Sequence, residues 1–300
     1  MEPFLGMVVR TDGPQATVRD GAGQDWRCVL RGRLRKELTG STNPIAVGDR
    51  VEVDVVSPGS GAVRKVLPRR SQLVRRAPSD KSAREQVLAA NLDLVVVVIA
   101  APPRSTVIDR YLAITNNSGS DSALCVNKID LADPYEVDAV VEPYRLAGVP
   151  AYLTSALTGE GVGSLRRAVA GKLLAFIGPS GAGKSTLLNA FDPGLDLRVG
   201  PLARSGRGSH ATTWASIVPV GDALIVDTPG LREVGFLGDE GQQAADDLFP
   251  QITLLSRGCH FRDCSHTHEP KCAVKAALEA GGVDADAYRR YVKLYRSGRL

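Results

Sequence analysis

The chain has 300 residues, 43% hydrophobic and 23% charged, with a net charge of +4. This length predicts two or three domains, and no apolar run approaches the roughly 20 residues that span a bilayer, which excludes a membrane-spanning helix. The opening MEPFLGMVVR has no basic stretch followed by an apolar one, so no secretory signal is expected and the cytoplasm is the expected compartment.

Charge is uneven along the chain. Residues 1–76 carry 14 Lys/Arg against 8 Asp/Glu, residues 256–300 carry 9 against 5, and the middle carries 14 against 20. Basic flanks around an acidic centre predict that the flanks meet a polyanion while the centre does something else. Up to about residue 70, MVVRTDG, QATVRDG, WRCVLRGRL and DRVEVDVVS read as short strands separated by Gly, Asp, Pro and Ser. Val51, Val53 and Val55 alternate with Glu52 and Asp54, the pattern of a half-buried strand. About five such strands suit a small β-barrel of the OB-fold type. Arg31, Arg33, Arg35 and Lys36 give it a candidate oligonucleotide-binding surface. The polar, basic segment 71–86 reads as a linker.

The pattern then changes to unbroken apolar runs of strand length, LDLVVVVIAA, SALCVN, VPAYLTSA, KLLAFIGPS and DALIVDTPG, alternating with helical segments. This predicts a central α/β domain over 71–245, with a largely parallel sheet buried on both faces and ligands at the strand ends. CVNKID is the first such end. A carboxylate at Asp130 can accept from guanine N1–H and its exocyclic amine together, a donor pair adenine lacks. Asn127 is expected to brace the loop, with Lys128 covering the ring face and Ile129 between them. In TSALTGEG, Ser155 and Ala156 form a candidate companion loop whose Ala156 N–H meets guanine O6.

GPSGAGKST spans Gly178, Pro179, Ser180, Gly181, Ala182, Gly183, Lys184, Ser185 and Thr186. It matches G-x-x-x-x-G-K-[ST] between an apolar strand and a helical segment, the context that identifies a phosphate-binding loop. Its glycines let backbone N–H groups approach phosphate oxygens, Lys184 neutralises the β and γ phosphates, and the Ser185 hydroxyl takes Mg²⁺. RSGRGSHATTW, residues 204–214, is the candidate first switch, with Thr212 or Thr213 reaching Mg²⁺ and His210 placed to orient the attacking water. In DTPG, Asp227 is suited to the Mg²⁺ shell, and Gly230 to giving its N–H to the γ phosphate. The residue after it is Leu231, where many such enzymes carry a water-orienting Gln, so slow intrinsic hydrolysis is expected. Gly181 stands where potassium-activated relatives use Asn, so no monovalent-cation requirement is expected.

The last region, 246–300, opens on CHFRDCSHTHEPKC and then reads as helical. Cys259, Cys264 and Cys272 with one of His260, His266 and His268 would make a closed tetrahedral zinc site, which marks a structural role. Three of the five cysteines fall in this stretch, and a metal is expected there rather than disulfides.

The base reader precedes the phosphate loop, the reverse of ordinary guanine-nucleotide switches. With this order, AANLD, GPSGAGKSTLLNA, DTPGLREVG and the Cys/His cluster, the sequence resembles the circularly permuted GTPases of bacteria that depend on the small ribosomal subunit, the RsgA/YjeQ family. The resemblance covers essentially the whole chain. It implies an N-terminal OB barrel (1–70), a permuted P-loop GTPase core and a mainly helical zinc-binding domain, with His266 as the histidine ligand. It also implies GTP and GDP as ligands, Mg²⁺ with the nucleotide, one structural Zn²⁺, and the 30S subunit and its 16S rRNA as partners of a monomer in late subunit maturation. The family usually carries three threonines after the switch histidine; Ala211 replaces the first here. Two other readings compete. An ATP-driven transporter subunit shares GPSGAGKSTLL but predicts an LSGGQ-like signature, which is absent. A non-catalytic RNA-binding module would use nucleotide only as a structural ligand.

Overall fold

The computed structural model describes all residues except 1, 14, 32–43, 77–84, 117, 193, 195–213, 228–244 and 298–300. The N-terminal strands are β1 (Phe4–Asp12), β2 (Gln15–Asp20), β3 (Asp25–Leu30), β4 (Arg50–Ser57) and β5 (Ser60–Val66). Alternation drives their closure: Val8, Val18, Trp26, Cys28, Val51, Val53 and Val63 point inward to one buried cluster, with polar residues such as Thr17, Arg27 and Glu52 between inward positions. The order β1-β2-β3-β5-β4, with β4 returning to β1 and β3 parallel to β5, is a closed five-stranded barrel of the OB type.

Of the segment expected as linker (71–86), the described residues at its two ends pair in a two-stranded ladder of β6 (Gln72–Arg76) and β7 (Glu85–Ala90). Leu73, Leu88 and Ala89 are buried in the central core, and these few apolar anchors among many polar residues account for the difference.

The central sheet contains β8 (Leu94–Ala100), β9 (Asp121–Asn127), β10 (Ala151–Thr154), β11 (Leu173–Ile177), β12 (Trp214–Val220) and β13 (Ala223–Asp227). Five are parallel neighbours in the order β10-β9-β8-β11-β13, with β12 antiparallel at the end. The unbroken apolar runs follow from burial on both faces. In β8, Val95, Val97 and Ile99 enter one core cluster while Leu94, Val96 and Val98 enter the other. Helices α1 (Ser105–Asn116) and α2 (Pro134–Leu146) cover the first face. Helices α3 (Val162–Val169) and α4 (Lys184–Phe191) cover the second, where Phe191 meets Phe176 edge-on at 6.0 Å.

The C-terminal region folds as α5 (Pro250–Ser256), a Cys/His loop, α6 (Ala273–Glu279) and α7 (Ala285–Ser297) around Ile252, Val274, Tyr291 and Tyr295. No described helix is long and apolar enough to cross a membrane.

Two joints bind these parts, and neither was legible in the sequence. Strand β1 pairs with β12 as well as with β2 and β4, so barrel and central sheet form one 11-stranded sheet. Helix α7 docks on α1 through Arg290, whose Nε and Nη2 each donate to Asp109 at 2.7 Å across 181 positions of sequence. Asp109 is 3% exposed, and Tyr144 Oη also donates to it at 2.7 Å. Burial, and then the Asp109 carboxylate, push the Tyr144 phenol up, so it stays a neutral donor.

Candidate nucleotide site and metal centre

All five parallel strands present their C-terminal ends at one edge of the sheet, where such folds bind ligands. Asn127 ends β9 and sits opposite Ala100 of β8 and Thr154 of β10, and Ile177 of β11 sits opposite Val97. Strand β13 runs parallel to β11 and ends on exposed Asp227. The loops after β9, β10 and β11 therefore emerge side by side despite their order in the chain.

Asn127, 1% exposed, ties the three loops together. Its Nδ2 donates to the Ala182 carbonyl of the glycine-rich loop at 3.0 Å. Its Oδ1 accepts from the Ala156 N–H at 3.1 Å and from Thr154 Oγ1 at 3.2 Å. The Ala156 amide expected at a guanine carbonyl is thus already turned towards Asn127. Lys128 adopts a left-handed conformation (φ 65°) and opens a 3₁₀ turn, Ile129–Leu131, that presents Asp130. Ser155 Oγ donates to Asp130 Oδ1 at 2.6 Å and itself accepts from the Thr158 N–H at 3.2 Å. Asp130 is therefore aimed by its neighbour loop while remaining exposed.

The loop 178–183 wraps back on itself for steric reasons. Gly178 has φ 144°, and a Cβ there would lie 2.0 Å from the Val98 carbonyl oxygen. At Gly183 (φ 90°) a Cβ would lie 2.3 Å from Asn127 Nδ2, so a side chain at this point would drive the base-reading and phosphate loops apart. Pro179, Ser180 and Gly181 form the outer arc, and Lys184, Ser185 and Thr186 begin α4 behind Gly183. Lys184 Nζ donates to the carbonyls of Gly178 and Pro179 at 2.8 and 2.9 Å, holding its charge across the loop mouth. The arrangement suits a nucleotide with its base between residues 127–130 and 155–156 and its phosphates on 178–186. Ser185 and Asp227 stand on neighbouring elements suited to a divalent ion. His210, Thr212, Thr213 and Gly230 lie outside the described residues, as do Arg33, Arg35 and Lys36.

In the C-terminal region, ligand atoms of Cys259, Cys264, His266 and Cys272 all lie within 4.8 Å of one another. His266 Nδ1 is 3.5 Å from Cys259 Sγ and 3.4 Å from Cys272 Sγ, and the two sulfurs are 3.8 Å apart. Tetrahedral zinc with Zn–S of about 2.3 Å and Zn–N of about 2.0 Å places two sulfurs about 3.8 Å apart, and sulfur and nitrogen about 3.5 Å apart. The donor set and its spacing therefore fit zinc. His260 packs edge-on against Phe261, and His268 is exposed beside Thr267; neither joins the group.

A residue the sequence did not single out braces this loop. Glu269 accepts from Ser265 N (2.9 Å), Ser265 Oγ (2.6 Å), Thr267 N (3.1 Å) and His268 N (3.2 Å). Burial alone would raise its carboxyl, but the donors of Ser265 and Thr267 outweigh that and hold it well below the usual carboxylate range. Tyr288 Oη donates to the His266 carbonyl at 2.6 Å, tying the loop to α7. A Glu directly after a histidine is too common a pattern to have marked this role.

Known proteins bear the same features. The model of the RsgA GTPase family matches residues 66–237. The chain is 41% identical over 296 residues to the small ribosomal subunit biogenesis GTPase RsgA of Gemmatimonas aurantiaca, covering 96% of this chain and 95% of that protein. It is 38% identical over 302 residues to the protein of the same name from Porphyromonas gingivalis, with the same coverage of each chain. Among solved structures it is similar to YjeQ from Thermotoga maritima, with a TM-score of 0.74 and 32% identity over 98% of both chains. It is also similar to YloQ, a circularly permuted GTPase, with a TM-score of 0.71 and 26% identity over 98% of this chain and 94% of that one. With the permuted motif order and the loop convergence at Asn127 beside these likenesses, the chain belongs to the RsgA GTPase family.

Proposed function

We propose that this chain hydrolyses GTP during biogenesis of the small ribosomal subunit, gripping 16S rRNA and letting go when the γ phosphate is lost. The observation that carries the reading is the Asn127 bridge from the base-reading loop to the Ala182 carbonyl and the Ala156 amide. It supports a guanine reader and a phosphate cradle that serve one nucleotide. Family membership and the names of the relatives supply the ribosomal setting.

In this reading Asp130 selects guanine, Asn127 keeps the loops in register, and the 178–183 amides with Lys184 take the phosphates. Ser185, Asp227 and Thr212 or Thr213 would hold Mg²⁺, which neutralises charge between the β and γ phosphates when bound. The apolar Leu231 cannot order water, so hydrolysis waits for a partner to place His210. The chain divides functionally into an RNA-binding barrel (1–70), the permuted GTPase (71–245) and a zinc domain (246–300), working as a cytoplasmic monomer.

The test is phosphate release measured while 30S subunits are titrated in. Turnover that climbs with subunit concentration is expected; flat turnover would favour a module that holds nucleotide only as a structural ligand. His210→Ala should keep GTP affinity and lose the stimulation, and a normally stimulated variant would remove His210 from the mechanism.

A further inference from the structure

The lip of the nucleotide edge carries three large apolar side chains turned to solvent: Leu131 is 66% exposed, Tyr135 87% and Leu157 84%. Two adjoining loops and the start of a helix present them. Leu131 follows Asp130, and Leu157 lies two residues beyond Ser155, the pair joined by the 2.6 Å bond from Ser155 Oγ to Asp130 Oδ1. Tyr135 stands in the first turn of α2, where Asp133 Oδ1 accepts from its N–H at 2.8 Å and from that of Glu136 at 3.3 Å. Single exposed leucines are ordinary on a protein surface. A tyrosine and two leucines on adjoining loops instead offer the apolar anchors that association buries.

The charge around them selects the partner. Residues 128–160 carry 6 Asp/Glu against 2 Lys/Arg. Of the two cations, Arg145 is held by Asp138 at 2.9 Å and Glu142 at 3.4 Å, and Lys128 lies in the base-reading loop. Exposed Glu136 and Glu160 have no ion-pair partner among the described residues. A phosphate backbone is repelled by such a face. A polypeptide that brings Lys or Arg beside apolar side chains meets opposite charge and covers the tyrosine and leucines together.

We propose that Leu131, Tyr135 and Leu157, rimmed by Glu136 and Glu160, form a docking surface for a basic polypeptide segment, supplied on the small subunit by one of its proteins. The inference rests on the reading of the chain as a GTPase of small-subunit biogenesis and adds what kind of partner the base-reading edge meets. The basic flanks of the chain suit RNA; this acidic, apolar face suits protein. Leu131 and Leu157 border Asp130 and Ala156, so the docked segment lies along the rim of the proposed guanine pocket.

The test places a photo-crosslinker in the full chain, Tyr135→p-benzoylphenylalanine, and irradiates it with purified 30S subunits and a non-hydrolysable GTP analogue. A nuclease-resistant adduct joining position 135 to a peptide of a subunit protein is expected. An adduct to 16S rRNA, an adduct to a second copy of this chain, or no adduct would overturn the inference. Cosedimentation with 30S subunits then reads two variant pairs whose side chains are already in water, so melting should be unmoved. Tyr135→Ser with Leu157→Ser should weaken subunit binding on the order of tenfold while GTP affinity stays unchanged. Glu136→Lys with Glu160→Lys should weaken it by a similar factor, most at low salt. Tighter binding of the lysine pair would assign the face to RNA, and unchanged binding of either pair would leave it without a partner; both results count against the proposal. If subunits stimulate wild-type turnover while any adverse result is found, only this inference falls; if stimulation is absent from the wild type, the functional reading falls as well.

Discussion

The nucleotide edge and the Cys/His loop are both polar constellations at the ends of secondary structure, yet they are held by different forces. At the nucleotide edge, positions are set by a parallel sheet buried on both faces, and Asn127 only links loops the strands already bring together. In the C-terminal region a smaller core of residues such as Ile252, Val274 and Tyr291 surrounds four ligands whose spacing fits a metal. Small units that bury little apolar surface depend on such a metal for order. A site framed by strands should therefore survive the loss of one polar group with its fold intact, and a site framed by coordination should not.

Four experiments can break or sharpen that contrast. The largest effect is expected from removing zinc. Structural zinc contributes on the order of 10 kcal/mol in small domains, so chelation or Cys264→Ser should abolish amide protection across 250–297 while GTP still binds. Protection that persists in the chelated chain would show that the apolar core suffices. Next is the joint between the two regions. Asp109→Ala leaves Arg290 buried without its carboxylate, a loss of about 3–5 kcal/mol. In thermal and exchange measurements it should release α7 from α1; Asp109→Leu with Arg290→Met should cost less than either single change, and equal cost would contradict the ion-pair account.

At the nucleotide edge the expected effect is chemical rather than structural. Asp130→Asn exchanges one acceptor for a donor, so GTP affinity should fall roughly a hundredfold while melting is unmoved. Affinity for the xanthine nucleotide, which offers a carbonyl in place of the amine, should rise. Unchanged guanine preference would detach Asp130 from base selection. The smallest effect concerns Glu269. Glu269→Gln should speed zinc loss about tenfold, the lower range for groups that orient metal ligands. Because the folded-state carboxyl is depressed, its contribution is present above about pH 4, the ordinary unfolded value, and is lost as pH falls through the lower folded value. The gap between variant and wild type should therefore close in acid; a gap independent of pH would assign Glu269 a packing role.

Local chemistry was readable along the chain because each motif carries its own steric or electronic requirement. Gly178 and Gly183 are spaced for a loop that no Cβ could enter, Asp130 has the acceptor pair guanine needs, and Val51, Val53 and Val55 alternate as a barrel strand must. The convergence of Cys259, Cys264 and Cys272 was readable too, since three thiols within fourteen residues of one another leave few arrangements, whereas the choice of His266 over His260 and His268 came from the family resemblance. The strand at Gln72–Arg76 was not legible because Leu73 and Val74 are only two apolar residues in a polar, basic stretch, too short a signal for a strand whose Leu73 the core nonetheless buries.

Tertiary structure decided what lies between the motifs. Contacts such as Asp109 with Arg290 or Asn127 with Ala182 join positions whose separation in sequence carries no periodic trace. The β1–β12 pairing is equally silent, because a strand's pattern records which face is buried and not which neighbour completes its hydrogen bonds. Sequence therefore determined the chemistry of each loop and strand face. Only the folded sheet decided which loops emerge side by side and that the barrel is hydrogen-bonded to the strand beside Asp227.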